Sequence, residues 1–151
     1  MTGVVISTGD PRDPAARALL QASHELMESL YPSEANHYLS VDELCADTID
    51  FYVARRGAET LGCAALARRD GYGEVKSMFV SNAARGSGTG GALLAQIETA
   101  ARAAGLSHLR LETGNTLYAA HRLYARAGFV PCSAFGGYSD DPISLFMEKP
   151  L

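Results

Sequence analysis

The sequence predicts a mixed α/β (α+β) fold, with a mostly antiparallel central sheet, one parallel strand pair and about four helices in a single domain, residues 1–151. Three observations lead there. A chain of 151 residues, 47% hydrophobic and 20% charged, is long enough to bury one proper core and too short for two ordinary domains. Its middle reads as three successive strands joined by tight turns, which is an antiparallel meander. After Val80 the period changes to glycine loop, helix and strand, a crossover that sets one strand parallel to its predecessor.

Val4 to Ser7 is a short strand candidate. Asp13 as N-cap and Pro14 at the first helical position start a helix carrying Leu19, Leu20, Leu26, Met27 and Leu30 at helical spacing, ending near Tyr31-Pro32. Tyr31 to Leu39 is polar and aromatic, a mobile loop by expectation. Ser40-Val41-Asp42-Glu43 is a capping box for a second, short helix. The meander is Ile49 to Arg55, Leu61 to Arg68 and Glu74 to Val80, turning at Arg56-Gly57 and Asp70-Gly71. The next helix runs from Ala92 to Ala104 with Gly105 as C-cap, and His108 to Thr113 is the parallel strand. Leu117, Ala120, Leu123, Tyr124 and Ala127 form the stripe of a further helix that Gly128 ends. Phe129 to Cys132 and Ile143 to Lys149 are the last strand candidates.

A formal net charge of −4 gives no broad basic field, so nucleic acid is not expected as a partner and any anion site must be local. The first residues lack the basic and apolar regions of a signal peptide, and no run of eighteen apolar residues occurs, so the expected setting is cytoplasmic, with no membrane partner. Cys45, Cys63 and Cys132 are odd in number and widely spaced, which argues for free thiols rather than a disulfide framework. The four histidines show no paired ligand spacing, and no metal is expected.

The segment Arg85-Gly86-Ser87-Gly88-Thr89-Gly90-Gly91 carries the strongest chemical signal. A glycine turn opening a helix lets backbone close around an anion, and the first helical N–H groups, lacking internal acceptors, point at it. Arg85 adds charge. Gly86-x-Gly88-x-x-Gly91 also satisfies a dinucleotide pattern, with Glu112 where a ribose-binding acid is sought. Against NAD stand the preceding meander, the residues Ser81 to Arg85 between strand and glycines, and too little chain after Glu112 for a doubly wound sheet. A Walker A loop is excluded because no Gly-Lys-Ser/Thr occurs, and a glycine turn without a ligand is the bland alternative.

Taken with its neighbours, the loop resembles the hallmark of the GNAT superfamily of acetyl-CoA-dependent N-acetyltransferases. That hallmark is Arg/Gln-x-x-Gly-x-Gly/Ala after a strand such as Met78-Phe79-Val80, and here Arg85, Gly88 and Gly90 fill it. The resemblance spans the whole chain and includes Leu123-Tyr124-Ala125-Arg126-Ala127-Gly128-Phe129. A looser likeness to small bacterial members rests on Gly73 to Lys76, Leu111 to Gly114 and Phe135 to Tyr138.

The resemblance implies a strand pair that splays apart, with the pantetheine arm of coenzyme A lying in the opening. Backbone groups of Met78, Phe79 and Val80 would hold that arm, and the amides of Arg85, Gly86, Ser87, Gly88, Thr89, Gly90 and Gly91 the pyrophosphate. The N–H near Met78 would face the thioester oxygen. Glu74 falls where several such enzymes carry a general base, with Glu112 as the alternative base or a ligand for the substrate ammonium. Tyr124 matches the tyrosine that protonates the departing thiolate. The position usually filled by Asn or Gln is Leu117 here, and Asn115 is the nearest amide that could bind coenzyme instead, or cap the following helix.

The acceptor is expected between the N-terminal helical loop and the final hairpin, with Tyr31, His37, Tyr38, Phe135 and Tyr138 as wall residues. Those aromatics suit a small or flat acceptor. Lys76 and Arg110 are cationic candidates for an acidic substrate group. The resulting expectation is transfer of acetyl from acetyl-CoA to the amine of a small molecule or peptide, without a covalent enzyme intermediate. A noncatalytic acyl-CoA sensor and a small NAD-binding oxidoreductase are the competing classes. Monomer and homodimer are both compatible with the sequence.

Overall fold

The computed structural model describes residues 3–151. Seven strands form one sheet: β1 (Val5–Thr8), β2 (Ile49–Arg56), β3 (Glu59–Arg68), β4 (Tyr72–Val80), β5 (His108–Gly114), β6 (Val130–Pro131) and β7 (Ser144–Pro150). Their order is β1-β2-β3-β4-β5-β7-β6. Among the described strands only β4 and β5 are parallel, joined by helix α3 (Thr89–Ala103). The mixed, mostly antiparallel sheet expected from the meander and crossover is therefore present, with helices α1 (Pro14–Leu30), α2 (Val41–Leu44) and α4 (Tyr118–Arg126) completing it.

Apolar side chains fill both faces. One cluster packs Leu66, Val75, Leu109 and Leu111 of the sheet against Leu93, Leu94, Ile97 and Ala101 of α3 and Tyr124 of α4. The other packs Phe51, Val53, Cys63 and Ala65 against Ala16, Leu19 and Leu20 of α1 and Leu44 of α2. The capping box forms as read, with Ser40 Oγ accepting from the Glu43 amide at 3.1 Å and Glu43 Oε1 accepting from the Ser40 amide at 2.9 Å.

Local boundaries differ where tertiary packing overrides propensity. Helix α3 begins at Thr89, so Gly90 and Gly91 belong to its first turn. A Cβ at Gly90 would lie 2.8 Å from Leu123 Cδ2, so the Leu123 side chain of α4 packs directly against that glycine. Leu30 is exposed, and the buried residues of α1 are confined to its first half, because the second half overhangs an opening in the sheet instead of the core.

That opening arises from β4. Its pairing with β5 covers only Tyr72 to Glu74 against His108 to Arg110, after which the two strands diverge. Between Cys63↔Phe79 and Ala65↔Lys76 the β3–β4 register gains one residue, a bulge. Ser77 occupies it with φ 54°, in the left-handed region and alone among described non-glycine residues. A bulge bends and twists its strand, which is the physical reason β4 leaves β5 here.

Candidate active site

The diverging strands frame a cavity of about 130 Å³ that passes through the sheet. Lys76, Ser77 and Met78 line one side, and Glu112, Thr113 and Gly114 the other. Met27 and Tyr31 of the α1 region close it above, and Leu117, Ala120 and Tyr124 close it below. Beyond Glu74, β4 has no strand on its β5 side, so Met78 and Val80 present unpaired backbone groups to the gap. Phe79 faces the opposite cluster, packing near Cys63 and Ala65.

The glycine loop lies at the end of the same strand. Gly86 and Gly88 take φ of 81° and 83°, a conformation that costs glycine nothing. The loop amides of Ser87 and Arg85 are spent on the carbonyls of Ala84 and Asn82, whereas those of Gly86, Gly88, Thr89, Gly90 and Gly91 have no acceptor among the loop and cap hydrogen bonds. Gly86, Gly88 and Gly91 have open space where a side chain would project. Thr89 is buried and its hydroxyl pairs with that of Ser87 at 2.6 Å, so both side chains brace the turn and leave an anion to the backbone. Arg85 is exposed beside it. This is the cradle that a diphosphate fits.

Tyr124 lies on the cavity wall, 6% exposed. Burial, reinforced by the Glu112 charge, raises its phenol above the usual value near 10, so it stays protonated at neutral pH. Glu112 also lines the cavity, one oxygen accepting from Ser144 Oγ at 2.7 Å. Glu74 is placed differently. It is 3% exposed and outside the cavity lining, with Oε1 taken by Arg69 at 3.1 Å and Oε2 by the Tyr138 hydroxyl, with Lys76 Nζ at 3.5 Å. Lys76 Nζ donates further to the His37 carbonyl at 2.8 Å and to Tyr138 Oη at 2.9 Å. His37 and Tyr138 thus belong to a partly buried network that meets the cavity at Lys76, their rings edge to face at 5.1 Å.

Tyr31 bridges to Thr116, Oη to Oγ1 at 2.5 Å, and its phenol lies where any Cβ at Gly114 would stand. Asn115 turns away from the gap, its amide donating to the Pro142 carbonyl at 3.1 Å, and α4 has no side-chain cap. Arg110 is engaged by Glu148 at 3.3 Å and lies over the Tyr72 ring. Sequence reasoning passed over Asn36 and Ser77, both on the cavity wall. Among described residues no group of His, Cys, Asp or Glu could hold a metal, and no helix is long and apolar enough to cross a membrane.

A splayed parallel pair ending in an anion-binding glycine turn, with a buried phenol beside the gap, defines an acyl-CoA-dependent acyltransferase. The acetyltransferase (GNAT) domain family matches residues 47–131, and the chain belongs to that family. A protein of Azospirillum brasilense named IAA acetyltransferase is 47% identical over 155 residues, covering 100% of both chains. A crystal structure from Klebsiella pneumoniae, named as an acyl-CoA N-acyltransferase, aligns with TM-score 0.83 at 35% identity, over 98% of this chain and 97% of that one. An Elizabethkingia anophelis acetyltransferase with acetyl-CoA bound shares the fold, with TM-score 0.70 at 21% identity over 98% of each chain. The protein is an acetyltransferase, and acetyl-CoA is its co-substrate.

Proposed function

We propose that the acceptor is a primary amine of a small molecule or peptide, that it attacks the thioester directly within a ternary complex, and that the protein works in the cytoplasm. What supports this is the cavity itself, which brings Glu112, Tyr124 and the free backbone of Met78 to one place. An amine of pKa ~10.4 must lose a proton at a cost of about 4.6 kcal/mol at pH 7. Glu112 is the carboxylate on the cavity wall and takes that proton, directly or through water; Glu74, its oxygens occupied, anchors the network beneath. The amine nitrogen bonds to the acetyl carbon, the Met78 amide stabilises the oxyanion, the C–S bond breaks, and the nitrogen, positively charged after attack, releases its extra proton to water to leave the neutral amide. A phenol is a weaker acid than a thiol by about 2 kcal/mol even before burial, so Tyr124 donates a hydrogen bond to the leaving thiolate, which takes its proton from solvent.

The direct route rests on the thiols. Cys63 is fully buried, its thiol pushed up to about 12 by burial and donating to the Ser77 carbonyl, and neither Cys45 nor Cys132 lines the cavity. Initial rates at varied acetyl-CoA and amine, read by thiol release, are expected to give intersecting lines; parallel lines mean a covalent intermediate. IAA is added to the amine panel as a separate acceptor, after the Azospirillum relative's name. Binding of acetyl-CoA with no thiol release for any acceptor favours a sensor. Tyr124→Phe is expected to lower kcat about 10- to 100-fold, the worth of a hydrogen bond to a charged group, while calorimetric acetyl-CoA affinity stays constant. Equal loss of both assigns Tyr124 to packing.

A further inference from the structure

The cavity holds more polar chemistry than acetyl transfer uses. Two of its wall residues bury a polar atom with no hydrogen-bond partner, Asn36 Nδ2 and Ser77 Oγ. Asn36 follows the 3-10 turn Ser33–Ala35, and its backbone N–H is already given to Ser33 O at 3.1 Å. Ser77 is the bulge residue, held at positive φ. Buried unpaired donors are rare, each destabilises a fold that leaves it so, and strain kept at one residue is concentrated at functional sites.

Charges of both signs lie around them, on opposite sides of the gap. Lys76, next to Ser77 and 8% exposed, shares the carboxylate of Glu74 with Arg69, and the Glu43 carboxylate also lies within Coulombic reach of Lys76. Across the gap, Glu112 carries the opposite sign, and only one of its oxygens is taken by Ser144. Donors from the loop after α1 and from β4, beside the Lys76 ammonium, and an acceptor oxygen on β5 are complementary to a molecule with an anion at one end and a cation at the other. The volume of about 130 Å³ suits a small molecule.

We propose that the acceptor amine also carries a carboxylate, as a free amino acid does, with Asn36 Nδ2 and Ser77 Oγ donating to the carboxylate beside Lys76 while its ammonium meets Glu112. This deepens the reading of the protein as an amine acetyltransferase and rests on it. The test uses matched pairs, each an amino acid and the amine lacking its carboxylate, such as phenylalanine with phenethylamine and alanine with ethylamine. Thiol release is expected to give the carboxylated member at least tenfold higher kcat/KM. Asn36→Asp, which replaces the donor by a repelling oxygen, is expected to collapse that ratio toward one. Ser77→Gly removes the hydroxyl and suits the positive φ, and should reduce the ratio without disturbing the fold, as acetyl-CoA calorimetry checks. Equal or better use of the carboxylate-free amine overturns the inference and leaves amine acetylation standing. A ratio that survives in both variants does the same. No thiol release with any amine, acetyl-CoA still binding, overturns amine acetylation and this inference with it.

Discussion

Replacing Glu112 with glutamine is expected to lower kcat at pH 7 by about 10²- to 10⁴-fold, the usual contribution of a positioned general base, with the deficit shrinking as the pH rises. The sign follows from the nucleophile. At pH 7 only about one molecule in 2,500 of an amine with pKa ~10.4 is neutral, so the reaction depends on a group that takes the proton inside the complex. Above pH 10 the free amine supplies itself and the base becomes dispensable. Glutamine keeps the size of Glu112 and can still meet Ser144 Oγ, so the Tyr124 wall stays in place. Glu74→Gln, measured beside it, is expected to show no such convergence at high pH, because its carboxylate faces Arg69, Lys76 and Tyr138 rather than the cavity. Convergence in Glu74→Gln with a flat deficit in Glu112→Gln would exchange the two roles.

That exchange matters because the sequence pointed to Glu74 first, and what it lacked was the third dimension. The meander, the crossover and the glycine turn were legible because each is written in local chemistry: alternation, turn residues, a helix opened by glycines. The surroundings of Glu74 were not. Tyr138 lies 64 positions away along the chain and His37 lies 39 from Lys76, and neither approach leaves a local trace. The end of α1 misled for a similar reason at Met27, which keeps helical apolar spacing while facing the cavity, next to the Tyr31 that the sequence had placed on the acceptor wall. One missed residue did leave a signal. Val75 packs on the α3 face together with Met78 and Val80, whereas Phe79 packs on the other. An odd spacing between Val75 and Met78 within one strand requires a slipped register, and the serine between them is where the slip falls.

Removing the Glu74 charge is expected to have the largest effect on stability, about 3–5 kcal/mol for Glu74→Gln, read as a fall in the urea midpoint. Arg69, 36% exposed, can turn to water once its partner is gone. Lys76 cannot. At 8% exposure it keeps only the neutral oxygens of His37 and Tyr138, and a buried ammonium without an anion is what makes half of an ion pair costly. The double variant Glu74→Leu with Lys76→Met should recover most of the loss, because apolar side chains of similar volume replace a buried pair at little or no cost. Its activity separates anchoring from folding. With Lys76 gone, the His37 carbonyl and the Tyr138 hydroxyl lose the donor that ties the loop after α1 and the loop before β7 to β4. The acceptor KM should rise while acetyl-CoA affinity, set by the glycine loop at the other end of β4, stays as it was. A double variant as unstable as Glu74→Gln would show that the destabilisation does not come from the stranded ammonium, and an unchanged acceptor KM would remove the network from acceptor binding.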